Sequence, residues 1–549
     1  GSLLRCKYRK NFSIKSNFYR KISKKSEKSL FLAIFANEKK QVRDTLATEI
    51  GGVPTSKRKP MITFLICLGL LAGSYFTYGR YLERLCDVDA SHPVPSQTRY
   101  DGVDYMPLPR WKIFLIQLLN IAGLGPIFGA VLGAAYGPVA FLWITLGGIF
   151  IGGMHDLISG IMSVRYGGQS LPEVVGALLG NRVKLILRIV SILLLILVGT
   201  VFLSQPAMLI AVKIHALEPV SFVSFPRLLL IVLGVILAYY MLATLLPVDK
   251  IIGRFYPLFG VALLLMALGI LAVLLFDAER YPIPELTSLE NLIADARRFP
   301  VMPMLFTTIA CGAISGFHAT QSPLMARCIT SERQSRAIFY GAMIVESIIA
   351  LIWAAIAMAF RGGVKELNTA LAEYGGNASL PVDEIAVGTL GPLFAGLVIF
   401  GVIACAITSG DTAFRSARLI VADFTGLEQK SLRNRLRISL PLFALALLIF
   451  FCLPFDALWS YFAWTNQTLA SITLWAIAAY LRRHRKTVWP ALLPALFMTY
   501  VCTSYLFISP LMLGMENRTA AYLLGGLSTA IIALYMYYSN RRHANDPDA

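Results

Sequence analysis

The chain has 549 residues, 56% of them hydrophobic and 15% charged, with a formal net charge of +19. That composition excludes an ordinary soluble globular protein and points to one that crosses a membrane many times. It gives no support to a nucleic-acid partner either, because Lys and Arg concentrate in residues 1–60 and in short segments between apolar runs.

Residues 1–60 begin Gly-Ser and are dense in Lys and Arg. They are expected to be a non-native extension, with Met61 as the natural start, because a basic arm at this place resists export. An extra transmembrane helix follows at 61–79, then a polar segment at 80–110 assigned to the cytoplasmic side. Apolar runs then place helices near 111–135, 138–164, 183–205, 227–247, 253–276, 301–326, 337–360, 387–410, 438–453, 457–480, 488–509 and 519–538. The fold class expected is therefore an all-α polytopic membrane protein of about thirteen spans. Its parts are 111–276 and 301–480 as two five-helix halves, two C-terminal helices within 488–538, and a cytoplasmic tail at 539–549.

Two of these runs are poor unbroken helices. The first contains Asn120, Gly123, Gly125 and Pro126, and the second contains Gly312, Ser315, Gly316 and His318. Proline removes a backbone donor and glycine is entropically costly in a helix. Freed peptide groups in hydrocarbon are expensive unless they are buried in protein or line a cavity. Paired interruptions in two halves are a sequence pointer to a binding site near the membrane midplane. Each half holds an odd number of spans, so the halves are expected to run in opposite orientation as inverted repeats, each led by a broken helix. The basic loops fall on the side of 80–110 and the acidic ones opposite, as the positive-inside rule requires.

Several polar residues stand out in apolar surroundings. Asp156, His318 and Glu346 are ionisable groups within spans, and such groups are functional candidates by default. The bland alternatives are a buried Asp156–His155 pair, a packing histidine, and a neutral glutamic acid that locks helices. Thr408, Ser409 and Asp411 sit where the 387–410 run gives way to a basic loop. Their hydroxyls, with carbonyls of the first break, can cage a cation, whereas Asp411 is equally explained by helix termination. Gln117, Asn120, Asn466 and Gln467 can bind a substrate carboxylate or serve as interhelical glue. Trp459, Tyr461, Phe462 and Trp464 read as an interfacial belt. The eight cysteines show neither C-x-x-C nor zinc spacing, so neither metal nor disulfide framework is expected.

The run 101–107, the two breaks from Ile121 and from Cys311, Gln169-Ser170-Leu171, 411–418 and Asn466-Gln467 occur in an order that resembles the carbon starvation protein A (CstA) family. The likeness extends from Tyr78 to Leu481. It implies a fold similar to amino acid–polyamine–cation transporters. It also implies uptake of peptides or pyruvate under nutrient limitation, in the bacterial inner membrane, coupled to H+ or Na+ and without a cofactor. The substrate groups implied are Gln117, Asn120, Gly123, Gly125, Gly312, Ser315, Gly316, His318, Asn466 and Gln467. Coupling is assigned to Asp156, His318, Glu346, Thr408, Ser409 and Asp411. The sequence departs from the family at Ile116-Gln117, where relatives often carry two histidines, and in its short segment after His318. Small-molecule substrate and lipid bilayer are the partners expected, with oligomeric state left open. Two other readings are an intramembrane protease, from the near-motifs at 313–316 and 408–411, and a nutrient sensor without transport.

Overall fold

A computed structural model describes residues 61–102, 104–217, 224–245, 248–429 and 431–544. The basic extension 1–60 lies outside the described residues. Every regular element described is a helix, and no strand occurs among the described residues. That is the economical solution in hydrocarbon, where backbone amides and carbonyls must be satisfied within their own segment.

In chain order the elements are α1 (Ile62–Ser74), α2 (Tyr78–Leu85) and α3 (Arg110–Ile121). A π-helical turn at Gly125–Gly129 leads into α4 (Ala130–Ala134), and α5 (Val139–Arg165) has a π-helical middle at Trp143–Gly152. Then come α6 (Leu171–Leu179), α7 (Asn181–Leu217), α8 (Phe225–Leu245) and α9 (Val248–Phe276). Short turns at Val301–Leu305 and Phe306–Thr308 precede α10 (Gly316–Ala326) and α11 (Glu332–Phe360), which opens with a 3-10 turn at Glu332–Gln334 followed by a π-helical turn at Arg336–Tyr340. The remainder is α12 (Val364–Glu373), α13 (Ser379–Thr425), α14 (Leu432–Cys452), α15 (Phe455–Arg483), α16 (Trp489–Ile508) and α17 (Arg518–Ala544).

Among the described residues nine helices are long and apolar enough to cross a bilayer, or ten if the bent pair Arg110–Ile121 and Gly125–Ala134 counts as one span. The expected thirteen are not reached on that measure. Of the expected spans, 301–326 is interrupted between Thr308 and Gly316, and 457–480 lies within α15, which is not among the nine. The latter carries buried polar residues, Asn466 and Gln467. A helix shielded by protein needs no apolar circumference. Several boundaries also move. The first span runs on to Leu85, into the expected polar segment. Pro206 does not stop α7, which is 37 residues long. Helix α13 has 47 residues, interrupted only at Gly391.

Burial sorts the helices. The apolar windows of α5 and α11 are 78% and 83% buried, whereas those of α8 and α17 are 22% buried. Helices α5 and α11 are therefore the centre of the bundle, and α8 and α17 present Ile231, Val235, Leu523 and Ile531 outward. At the C-terminal end of α5, one guanidinium joins several elements. Arg165 donates to Glu332 at 2.6 Å, to the Tyr480 hydroxyl at 2.8 Å and to the Cys86 carbonyl at 2.7 Å. Fully buried Glu332 also accepts the Asp89 N–H at 3.1 Å and pairs with His92.

Candidate functional site

The first break is real. Helix α3 ends at Ile121, Ala122 turns away with ψ 32°, and the two segments are bent by 53°. Pro126 sits at the start of the new segment, where a missing N–H costs nothing. The carbonyls set free are taken by α13. The Ser409 hydroxyl donates to the Leu119 carbonyl at 3.0 Å, and the Cys405 thiol donates to the Ala122 carbonyl at 2.9 Å. Thr408 bonds back to the Ala404 and Cys405 carbonyls at 2.9 and 3.0 Å.

The second break is wider. Helix stops at Thr308 and resumes at Gly316, with Gly312 in the left-handed region at φ +89°. The restarted helix is capped from outside. The Asn466 side-chain oxygen accepts the Phe317 N–H at 2.8 Å and the Ser315 hydroxyl at 3.1 Å. Next to it, Gln467 donates to the Phe306 carbonyl at 2.9 Å. Adjacent amides on α15 therefore hold both sides of the interruption. Gly316 is required there, since a Cβ would lie 2.4 Å from the Asn466 carbonyl oxygen.

The two breaks touch. A Cβ at Gly125 would lie 2.3 Å from the Cβ and Sγ of Cys311, one at Gly129 would lie 3.2 Å from the Thr308 carbonyl oxygen, and one at Gly133 would lie 2.3 Å from Ile309. Glycines four apart form one stripe on a helix, and that stripe lets the second break approach. Gly123 serves a different contact, against Phe202 and Ser409.

Beside this junction, tertiary structure assembles a row of ionisable groups. Asp156 on α5, His318 on α10 and Glu346 on α11 are all fully buried. His318 Nδ1 lies 2.8 Å from Asp156 Oδ2, and His318 Nε2 lies 3.2 Å from Glu346 Oε2. His155 extends the row, its Nδ1 lying 2.7 Å from Asp156 Oδ1. Cys311 joins at the other end, with one ligand atom each of Cys311, His318 and Glu346 within 4.8 Å of one another. Buried charges persist when paired in this way, and the row ties three helices together. It can hold a cation or a proton between its carboxylates.

Three sequence expectations change. Glu346 is not alone, since it faces His318. Asp411 does not end a helix, because α13 continues to Thr425. Its carboxylate accepts the Tyr256 hydroxyl at 2.9 Å and lies 4.0 Å from Arg415, apart from the row. Two of the four expected belt aromatics lie inside instead. Trp459 and Phe462 are buried, and Trp459 packs against Phe128 of the first broken helix. Gln117 and Asn120, one turn before the first break, are fully buried with no hydrogen bond to any of their side-chain atoms. Sequence reasoning missed Cys405, Cys311 and Tyr256. No motif marks them, although the four-residue spacing of Gly125, Gly129 and Gly133 was legible. The protease near-motifs gain nothing, since Ser315 bonds to Asn466 and Asp411 to Tyr256.

The sequence profile described as carbon starvation protein CstA matches residues 59–233 and 221–391. An uncharacterized membrane protein of Haemophilus influenzae is 40% identical over 359 residues, covering 57% of this chain and 94% of its own length. The peptide transporter CstA of Bacillus subtilis is 24% identical over 568 aligned positions, covering 85% of this chain and 93% of its own. That of Escherichia coli is 25% identical over 342 positions, covering 52% and 48%. Among solved structures, MhsT in complex with L-phenylalanine shares the fold, with a TM-score of 0.50 at 16% identity over 79% of this chain and 99% of that one. A multi-pass membrane protein whose sequence matches the family's profile over more than half its length, this chain belongs to the carbon starvation protein CstA family.

Proposed function

We propose that this chain is a secondary active transporter of the bacterial cytoplasmic membrane in which a cation gradient drives uptake of small peptides or pyruvate-like carboxylates. The observation that carries the reading is the meeting of two interrupted helices at buried polar groups, with the amides of Gln117 and Asn120 unpaired beside the first interruption. Unsatisfied buried amides are costly, and a carboxylate or peptide group of a substrate satisfies both donors and acceptors. The names of the Bacillus and Escherichia relatives, peptide transporters, support the peptide.

The scaffold in this reading is a pair of inverted five-helix repeats, 111–276 and 301–480. One sequence interval separates Ala122 from Gly312 and Asp156 from Glu346, and both α5 and α11 carry π-helical turns. Rocking the four-helix bundle made by the first two helices of each half then gives alternating access. For the coupling ion, the carbonyls of Leu119, Ala122 and Cys405 with the hydroxyls of Thr408 and Ser409 offer hard oxygen donors suited to Na+. A specific observation favours H+ as the second reading: an imidazole with a carboxylate against each ring nitrogen.

The test is reconstitution in vesicles with labelled peptides and pyruvate, imposing Na+ and H+ gradients separately. Gradient-driven accumulation is expected, with Na+ stimulation lost in the Thr408→Ala, Ser409→Ala double variant. Folded protein that accumulates no solute under either gradient overturns the reading.

A further inference from the structure

We propose that Cys311, His318 and Glu346 form a binding site for a divalent transition metal ion, Zn2+ by its ligand chemistry. The three residues come from the second interruption, from α10 and from α11, and all are buried. A thiolate, an imidazole and a carboxylate are the set that zinc takes, whereas Mg2+ and Ca2+ demand oxygen throughout.

Geometry supports convergence on one ion. His318 Nε2 and Glu346 Oε2 are 3.2 Å apart but not aligned as a hydrogen bond. Two ligands about 2.0–2.2 Å from one tetrahedral zinc stand roughly 3.4 Å from each other. The Cys311 sulfur lies within 4.8 Å of both, so a small closure completes the triangle. The outer shell is also present. His318 turns its other nitrogen to Asp156 at 2.8 Å, and Asp156 is steadied by His155 at 2.7 Å. A carboxylate on the far side of a ligating imidazole fixes the tautomer that leaves Nε2 free for metal.

Charge points the same way. Thiolate and Glu346 carboxylate together neutralise a dication, which matters where both side chains are buried. On binding, the thiol proton and any proton on His318 Nε2 or Glu346 leave to bulk water, and the Zn–S, Zn–N and Zn–O bonds form with no change of oxidation state. Three protein ligands leave a fourth position open for water. Sequence spacing concealed the set, because the ligands are not arranged as C-x-x-C.

The experiment uses the full chain in detergent, stripped of metal and loaded with Co2+ as a spectroscopic probe. One Co2+ per chain is expected, with a near-ultraviolet thiolate charge-transfer band that Zn2+ bleaches and Cys311→Ser abolishes. Cys452→Ser, which alters an exposed thiol, leaves the band unchanged. Asp156→Asn retains the band and weakens affinity about 10–100-fold. Monodisperse elution of each variant separates lost binding from lost folding. A band that survives Cys311→Ser, or no band in folded wild type, overturns the site. The assay needs no transport, so its failure is distinct from failure of the transporter reading.

Discussion

Gly125→Ala tests whether the two interruptions are truly in contact. The added methyl would sit 2.3 Å from both the Cβ and the Sγ of Cys311. Moving the sulfur does not help, because the Cβ is fixed to the backbone. Relief needs a backbone shift in one of the two breaks, and overpacking of that kind costs about 1–3 kcal/mol. Gly133→Ala is the internal control. Its methyl meets side-chain atoms alone, Cγ1 and Cδ1 of Ile309 at 2.3 and 2.4 Å and Cδ1 of Leu305 at 3.6 Å. A rotamer change clears them, and replacing helical glycine returns up to about 1 kcal/mol. Unfolding in mixed micelles, followed by tryptophan fluorescence, should rank Gly125→Ala well below wild type and Gly133→Ala near it. The exchange Gly125→Ala, Cys311→Gly removes the obstructing Cβ and should recover at least half the loss. Equal stability of the two single variants, or no recovery in the exchange, refutes the contact.

Asn466→Ala removes the acceptor that caps α10 and should cost about 1–3 kcal/mol in the same unfolding assay, with Ser315→Ala costing less. In the buried row, Asp156→Ala should destabilise by about 3–5 kcal/mol, and adding His318→Gln should recover part of it, because the ring nitrogen left without its carboxylate is the main penalty. A double-mutant cycle reads the coupling, and strict additivity would contradict it. Glu173 offers a pH test outside the spans. Burial raises its carboxyl pKa, but Lys184 and Arg188 outweigh that and hold it below the ordinary 4.5. A depressed folded value means stability is present above pH 4.5 and lost as pH falls through the folded value. Partial exposure limits this to under about 1 kcal/mol. Glu173→Gln should flatten that acid limb of the unfolding profile.

Much of the site's backbone was legible before the fold. Gly125 and Pro126 inside an apolar run announce an interruption because their chemistry is local. What Asp156 meets is not local, since His318 lies 162 positions away. Hydropathy also misleads where protein replaces lipid. Helix α15 carries Asn466 and Gln467 because both are spent on the second break, and α13 continues through Asp411, whose carboxylate accepts the Tyr256 hydroxyl. Glycine admits two readings in an apolar run, a break and a closely packed face, and the Gly125–Gly129–Gly133 stripe shows both in one segment.

The Arg165 guanidinium has a mechanical consequence. It rivets the end of α5 to the loop after α2, the start of α11 and the end of α15. Lysine cannot substitute, because one ammonium lacks the planar fan of donors that reaches several directions at once. Those four ends either separate together, by shedding every bond to one side chain, or travel as a single plate while the opposite ends spread. A lever with one pinned corner swings about that corner.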